Sequence, residues 1–168
     1  MNNVVTIGKR LIPVEHIAFV EPYDAASNPK LQTSREYKAR IVMINRDSVL
    51  TEQTPQAFAE AHGFRVLEAD QIAANPAVGF RVETFVPADG FAPSKSYVTR
   101  LLWRDRDGND QSKLLVAPPE TVLAVVVRGE ADPQEGASVA TTLPKDDIVR
   151  RPPRRRQASA TTDAMPQQ

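Results

Sequence analysis

The longest wholly aliphatic stretch in this chain covers only residues 122–127, and that limit governs what it can fold into. A membrane-spanning helix needs about 20 apolar residues. A core here must therefore be assembled from short segments that meet through tertiary contact. Most of those segments alternate. Leu11-Ile12-Pro13-Val14 leads into residues 16–21, where Ile17, Phe19 and Glu21 fall on one face and Ala18 and Val20 on the other. That pattern reads as a β-strand introduced by proline. Residues 37–44, 79–85, 97–104, 111–116 and 121–127 read as further strands, with turns at Asn45-Arg46-Asp47-Ser48 and Asp107-Gly108-Asn109. Residues 65–78 carry no clear period, only a turn at Asn75-Pro76.

One helix is signalled at both ends. Thr54 is a suitable N-cap, Pro55 suits the first helical position where its missing N–H is harmless, and Gly63 supplies the left-handed residue that ends it. Phe64 is placed to fold back on Phe58. The expected fold is α+β or mainly β, with about six to eight strands and one short helix.

Shifted by 60 residues, the chain matches itself. Ser34, Tyr37, Arg40, Arg46 and Asp47 fall on Ser94, Tyr97, Arg100, Arg106 and Asp107, while Val20-Glu21 falls near Val82-Glu83 two residues off that register. Each half reads strand, proline-containing loop, strand, Arg-Asp turn, then a segment opened by proline, at Pro55 or at Pro118-Pro119. Two related β-loop-β halves sharing one core is the physical reading. Tyr37 and Tyr97 would then be equivalent, as would Arg40 and Arg100.

Charge divides the chain differently. Residues 1–143 hold 15 Lys+Arg against 18 Asp+Glu, and residues 144–168 hold 6 against 3, so a mildly acidic body precedes a basic end. From Gly129 the composition turns to Asp, Pro, Gly, Ser, Thr and Arg, which predicts a compact domain over 1–129 and a disordered Pro/Arg-rich tail over 130–168. The chain has no cysteine, which excludes disulfides, thiolate zinc sites and a thiol nucleophile. With no apolar leader at the N-terminus either, the expected location is the cytoplasm, without membrane attachment.

No motif predicts a catalytic, cofactor-binding or metal-binding residue, and no cofactor is expected. Asp105, Asp107 and Asn109 occupy the first, third and fifth places of a calcium loop, but Asp110 stands where glycine is required and Val116 where the bidentate glutamate belongs. His16 precedes a strand and His62 ends the helix, neither with a local catalytic partner. The distinctive local feature is Arg150-Arg151-Pro152-Pro153-Arg154-Arg155-Arg156, whose five arginines suit nucleic-acid phosphates or an acidic protein patch.

The phrase Ile12-Pro13-Val14-Glu15-His16-Ile17, leading to Glu21, resembles the opening of LytTR-type DNA-binding domains. In that family a second strand and a short helix follow, as residues 38–44 and 55–62 would here, and then a His-Arg-Ser phrase; here Phe64-Arg65-Val66 stands in its place. The resemblance implies no functional residue for this chain and favours the nucleic-acid alternative.

The expectation is a non-enzymatic interaction or regulatory module that binds a protein partner through loops 22–35 and 86–95 and the tail. The alternatives are a nucleic-acid-binding regulator using the basic tail, and an enzyme of unrecognised type. Strand arginines 40, 81, 100 and 104 gathered on one face would favour nucleic acid. The oligomeric state carries no sequence signal.

Overall fold

Ile17–Glu21 are all buried, although a strand with one solvated face would bury alternate residues. The computed structural model, which describes residues 3–27 and 34–132, shows why. Val4–Ile7 (β1) and Arg10–Pro13 (β2) form a hairpin, and Ile17–Pro22 (β3), Ala39–Met43 (β4) and Ser48–Thr51 (β5) follow. Pro55–His62 is α1; Arg65–Leu67 (β6), Ile72–Ala74 (β7), Arg81–Thr84 (β8), Thr99–Arg104 (β9) and Asp110–Leu115 (β10) complete the strands. Pro119–Val122 is α2, which continues as a π-helical run over Leu123–Arg128. The larger sheet has the order β5-β4-β3-β7-β6 and the smaller β10-β9-β8, all pairs antiparallel. β3 is thus the central strand of the larger sheet, covered on both faces.

A bulge between Ile17 and Phe19 corrects the expected facing of β3. Ile17 joins Val20, Ile41, Phe58 and the hairpin residues Val5 and Ile12 in one core cluster. Ala18 and Phe19 join Val42, Leu101, Trp103, Leu115, Val122, Val125 and Val126 in the other. Among the described residues there are ten strands rather than about six to eight because β1, β5, β6 and β7 are only three or four residues long, too short to show a period in sequence.

The two halves match in register. Val20 pairs with Ile41 and Glu21 with Arg40; Val82 pairs with Leu101 and Glu83 with Arg100. Tyr23 N–H donates to Lys38 O at 3.0 Å and Phe85 N–H to Val98 O at 2.8 Å. Lys38 N–H donates to Thr51 O at 2.9 Å and Val98 N–H to Leu115 O at 3.0 Å, the same irregularity at the entrance of β4 and of β9. Pro55 and Pro119 then open the two helices, which end on Gly63 and Gly129 at φ 71° and 75°. β3-β4-β5-α1 and β8-β9-β10-α2 are therefore the same unit, with Tyr37 and Tyr97 half-buried at equivalent places.

Residues 121–127 were expected as a strand and are helical. Pro119 starts a helix where the absent N–H costs nothing. Val122, Val125 and Val126 then stand at helical spacing and bury together, so tertiary burial overrides the strand preference of β-branched residues. α1 follows its sequence signals: Thr54 Oγ1 accepts from Ala57 N–H at 3.2 Å, and the Phe58 and Phe64 rings meet edge-on at 5.2 Å.

Trp103 joins the units. It is fully buried, its ring lies edge-on to Phe19 at 5.6 Å and to Phe80 at 5.9 Å, and its Nε1–H donates to Ile44 O at 2.9 Å. The Asp70 carboxylate accepts Val116 N–H and Ala117 N–H at 2.8 and 2.9 Å, tying the β10–α2 link to the first half. Beyond the second helix, Asp132 is buried and accepts Glu68 N–H at 3.1 Å. The remainder of the tail and its five arginines lie outside the described residues. Trp103→Ala should lower unfolding free energy by about 3–5 kcal/mol. Trp103→Phe, which leaves the Ile44 carbonyl unpartnered, should cost about 1–3 kcal/mol. Urea titrations followed by far-UV circular dichroism measure both, and a Trp103→Phe variant as stable as the wild type would deny the indole hydrogen bond a role.

Candidate functional site

Between the two units lies a cleft of about 360 Å³ with Glu21 at its base. Arg40 stands opposite Glu21 on β4, and its Nε donates to Glu21 Oε1 at 2.7 Å. Lys113 reaches Glu21 Oε2 from β10 at 2.5 Å, its ammonium lying 5.0 Å from the Phe19 ring centre. Burial works to raise the Glu21 pKa, but Lys113 and then Arg40 outweigh it and hold the carboxyl below its ordinary value. A carboxylate so held stays ionised at neutral pH and accepts from two cations at once. The cluster is an electrostatic tie between the halves.

The larger concavity, about 680 Å³, lies between β1 and β5. β5 ends the five-stranded sheet and β1 belongs to the separate hairpin, so among the described residues both walls are strands without a second neighbour. Val14 N–H donates to Asn3 O and Met43 N–H to Asp47 O, at 2.8 Å each. Because bonded and non-bonded pairs alternate along antiparallel strands, Val4 and Thr6 turn their main chain away from β2, and Leu50 turns its own away from β4. Hydrogen-bonding groups thus line two opposed edges. The rim carries Lys9, Arg10 and Arg35 against Glu52, which pairs with Arg35 at 3.8 Å. The groove is accordingly cationic on balance.

The strand arginines divide. On β9, Arg100 and Arg104 share the outer face of the smaller sheet, and Arg81, opposite Leu102, shares it too. Arg40 sits on the other sheet against Glu21. Asp110 accepts from Arg81 at 2.9 Å and from Arg104 at 3.0 Å, and the hydrogen bond from Arg104 leads in holding its pKa low. Arg100 stacks 5.3 Å from the Phe85 ring centre with Glu83 directly opposite. Three cations on that face meet two carboxylates, a weak field for a polyanion.

The calcium-like run builds a turn. Asp105 accepts from Asp107 N–H, Asn109 N–H and side chain, and Gln111 Nε2; the Asn109 N–H is the main reason its pKa is lowered. His62 lies against Phe58 at 4.4 Å between ring centres. Among the described residues no cluster of His, Asp and Glu could hold a metal ion, and no helix is long and apolar enough to cross a membrane. Arg150, Arg151, Arg154, Arg155 and Arg156 lie outside the described residues, as do residues 28–33 of the first loop.

The groove was not anticipated, although one signal for it existed. Two apolar runs, Val4-Val5-Thr6-Ile7 and Leu11-Ile12, flank a short link opened by Gly8, which takes φ 60°; such spacing marks a hairpin. What no sequence pattern carries is the approach of β1 to β5. No family model matches the chain, and neither a curated protein nor a solved structure matches it.

The depressed Glu21 pKa sets an acid dependence. Its ion pairs should stabilise the fold in full above the ordinary glutamate value of 4.5 and fade as pH falls through the lower folded-state value. Glu21→Gln should cost about 2 kcal/mol at neutral pH and flatten that part of the profile. Denaturant titrations from neutral to acid pH check this; an unchanged slope in the variant would assign the acid sensitivity elsewhere.

Proposed function

We propose that this chain is a non-enzymatic cytosolic interaction module that binds an extended, acidic segment of a protein partner in the groove between β1 and β5. The observation that supports the reading is the pair of opposed strand edges. An extended peptide satisfies its own main-chain groups by adding to such an edge, which gives affinity without demanding a particular sequence. Selectivity would come from the rim, where Lys9 and Arg10 are exposed and Glu52 alone opposes the cations. A negatively charged segment gains from that field and a basic one is repelled. Nothing in the groove or the Glu21 cleft offers a nucleophile held by a base, which weighs against the enzyme alternative.

The nucleic-acid alternative draws its support from the arginines at 150–156, since the one described face that gathers arginines also carries Glu83 and Asp110. The two readings separate in one experiment. Fluorescence anisotropy would compare an extended octapeptide of alternating valine and glutamate, its lysine counterpart and a single-stranded oligonucleotide. The acidic peptide should bind in a salt-sensitive way, with amide shifts confined to residues 4–10 and 49–53. Lys9→Glu with Arg10→Glu should weaken it by about tenfold or more. Thr6→Pro, which removes an outward donor but leaves the β1–β2 ladder, should weaken it independently of charge. Equal binding of the lysine peptide, or indifference to both variants, would overturn the groove reading. Tight oligonucleotide binding beside it would favour the alternative.

A further inference from the structure

We propose that the outer edge of β8 is the interface between two copies of this chain, paired as antiparallel strands about a two-fold axis through Val82. The repeat raises the question of what that edge is for. In the first unit the equivalent strand, β3, carries β7 on its outer side, with Val20 opposite Ala73. In the second unit β8 ends its sheet, and among the described residues no strand pairs with its outer side. β10, which ends the same sheet on the other side, has its edge occupied: the Arg46 guanidinium donates to the Ser112 carbonyl.

The exposed groups of β8 can be assigned. Asp105 N–H donates to Asn109 O at 3.0 Å, which makes the odd-numbered residues of β9 the partners of β10 and the even-numbered ones the partners of β8. Arg81, opposite Leu102, and Glu83, opposite Arg100, therefore turn their main chain inward. Val82 and Thr84 turn theirs outward, as Val20 does toward β7. The Phe80 N–H is already given to Val78 O at 2.9 Å, while nothing described takes up the outward groups of Val82 and Thr84.

Charge selects a second copy as the occupant. In an antiparallel pairing centred on Val82, Arg81 of each copy stands opposite Glu83 of the other. These are non-hydrogen-bonded positions of the new ladder, where side chains approach most closely. All of Arg81, Glu83 and Thr84 are exposed. The same charges repel a register slipped so that like faces like, so they suit one pairing while discouraging indiscriminate edge contact. Val86, 77% exposed, and Phe91, 49% exposed, continue from the end of β8 as an apolar margin such a contact would shelter. The interface is isologous and therefore closes at two copies. It is separate from the groove between β1 and β5 and does not depend on it.

Sedimentation velocity of the full chain over a range of concentrations tests the pairing. The expected result is a monomer–dimer equilibrium. Arg81→Glu and Glu83→Arg should each weaken dimerisation by about tenfold or more, because each sets like charges across the axis. Mixed in equal amounts, the two variants should regain the dimer mass, since every cross-axis pair is then opposite in sign; a folding defect would not be cured by mixing. Thr84→Pro, which removes an outward N–H and spares the β9 ladder, should also weaken the dimer. A full chain that stays monomeric at all concentrations, because its own remaining residues or nothing at all covers β8, would overturn the proposal. So would single variants that dimerise like the wild type, or a mixture that stays monomeric.

Discussion

Trp103 packed against Phe19 is the contact on which the arrangement depends. β3 is buried on both faces, which a strand sustains only when a layer covers each side. α1 and the β1–β2 hairpin supply one layer, and the second unit supplies the other through Trp103 and the valines of its helix. Without the second unit, Phe19 and Val42 would face water, and the first unit would be a sheet with an apolar back. The bulge at Ala18 serves the same end, because it turns the successive residues Ala18 and Phe19 into the same core while Ile17 and Val20 enter the other.

The two units share their pairing register and differ where their surroundings differ. The larger sheet buries Phe19 on its second face, and Arg81 holds the corresponding place on the outer face of the smaller sheet. Repeats that stack need a terminal member with a polar outer surface, and Arg81, Arg104 and Asp110 provide it. Glu21 and Arg40 are matched by Glu83 and Arg100, yet only the first pair receives a third charge, from Lys113, because only it faces the junction. Register is common to both units; solvent exposure separates them.

Several features were legible from the chain alone. Thr54, Pro55 and Gly63 bound α1 as local rules require, and the offset of Tyr37-x-x-Arg40 to Tyr97-x-x-Arg100 disclosed the repeat. The DRDGND run was a turn in sequence and is a turn in space, held by the Asp105 carboxylate. The groove was not legible, because its two walls are separated by three intervening strands in chain order, and the faint hairpin signal at Gly8 says nothing about where the hairpin docks. The facing of Ile17 was misread because a bulge leaves no mark on an alternating pattern.

What the sequence determined by itself was local: chain direction changes at glycines and prolines, the ends of α1 and the alternation of most strands. Those follow from backbone sterics and side-chain period, which act over a few residues. Tertiary structure decided the rest. It made residues 119–128 helical rather than extended, because three valines at helical spacing could reach the Trp103 core together. It brought Lys113 to Glu21 across 92 residues of chain, and among the described residues it left the outer edges of β1, β5 and β8 without a neighbouring strand. Such outcomes depend on burial and charge summed over distant segments, quantities that exist only once the layers have met.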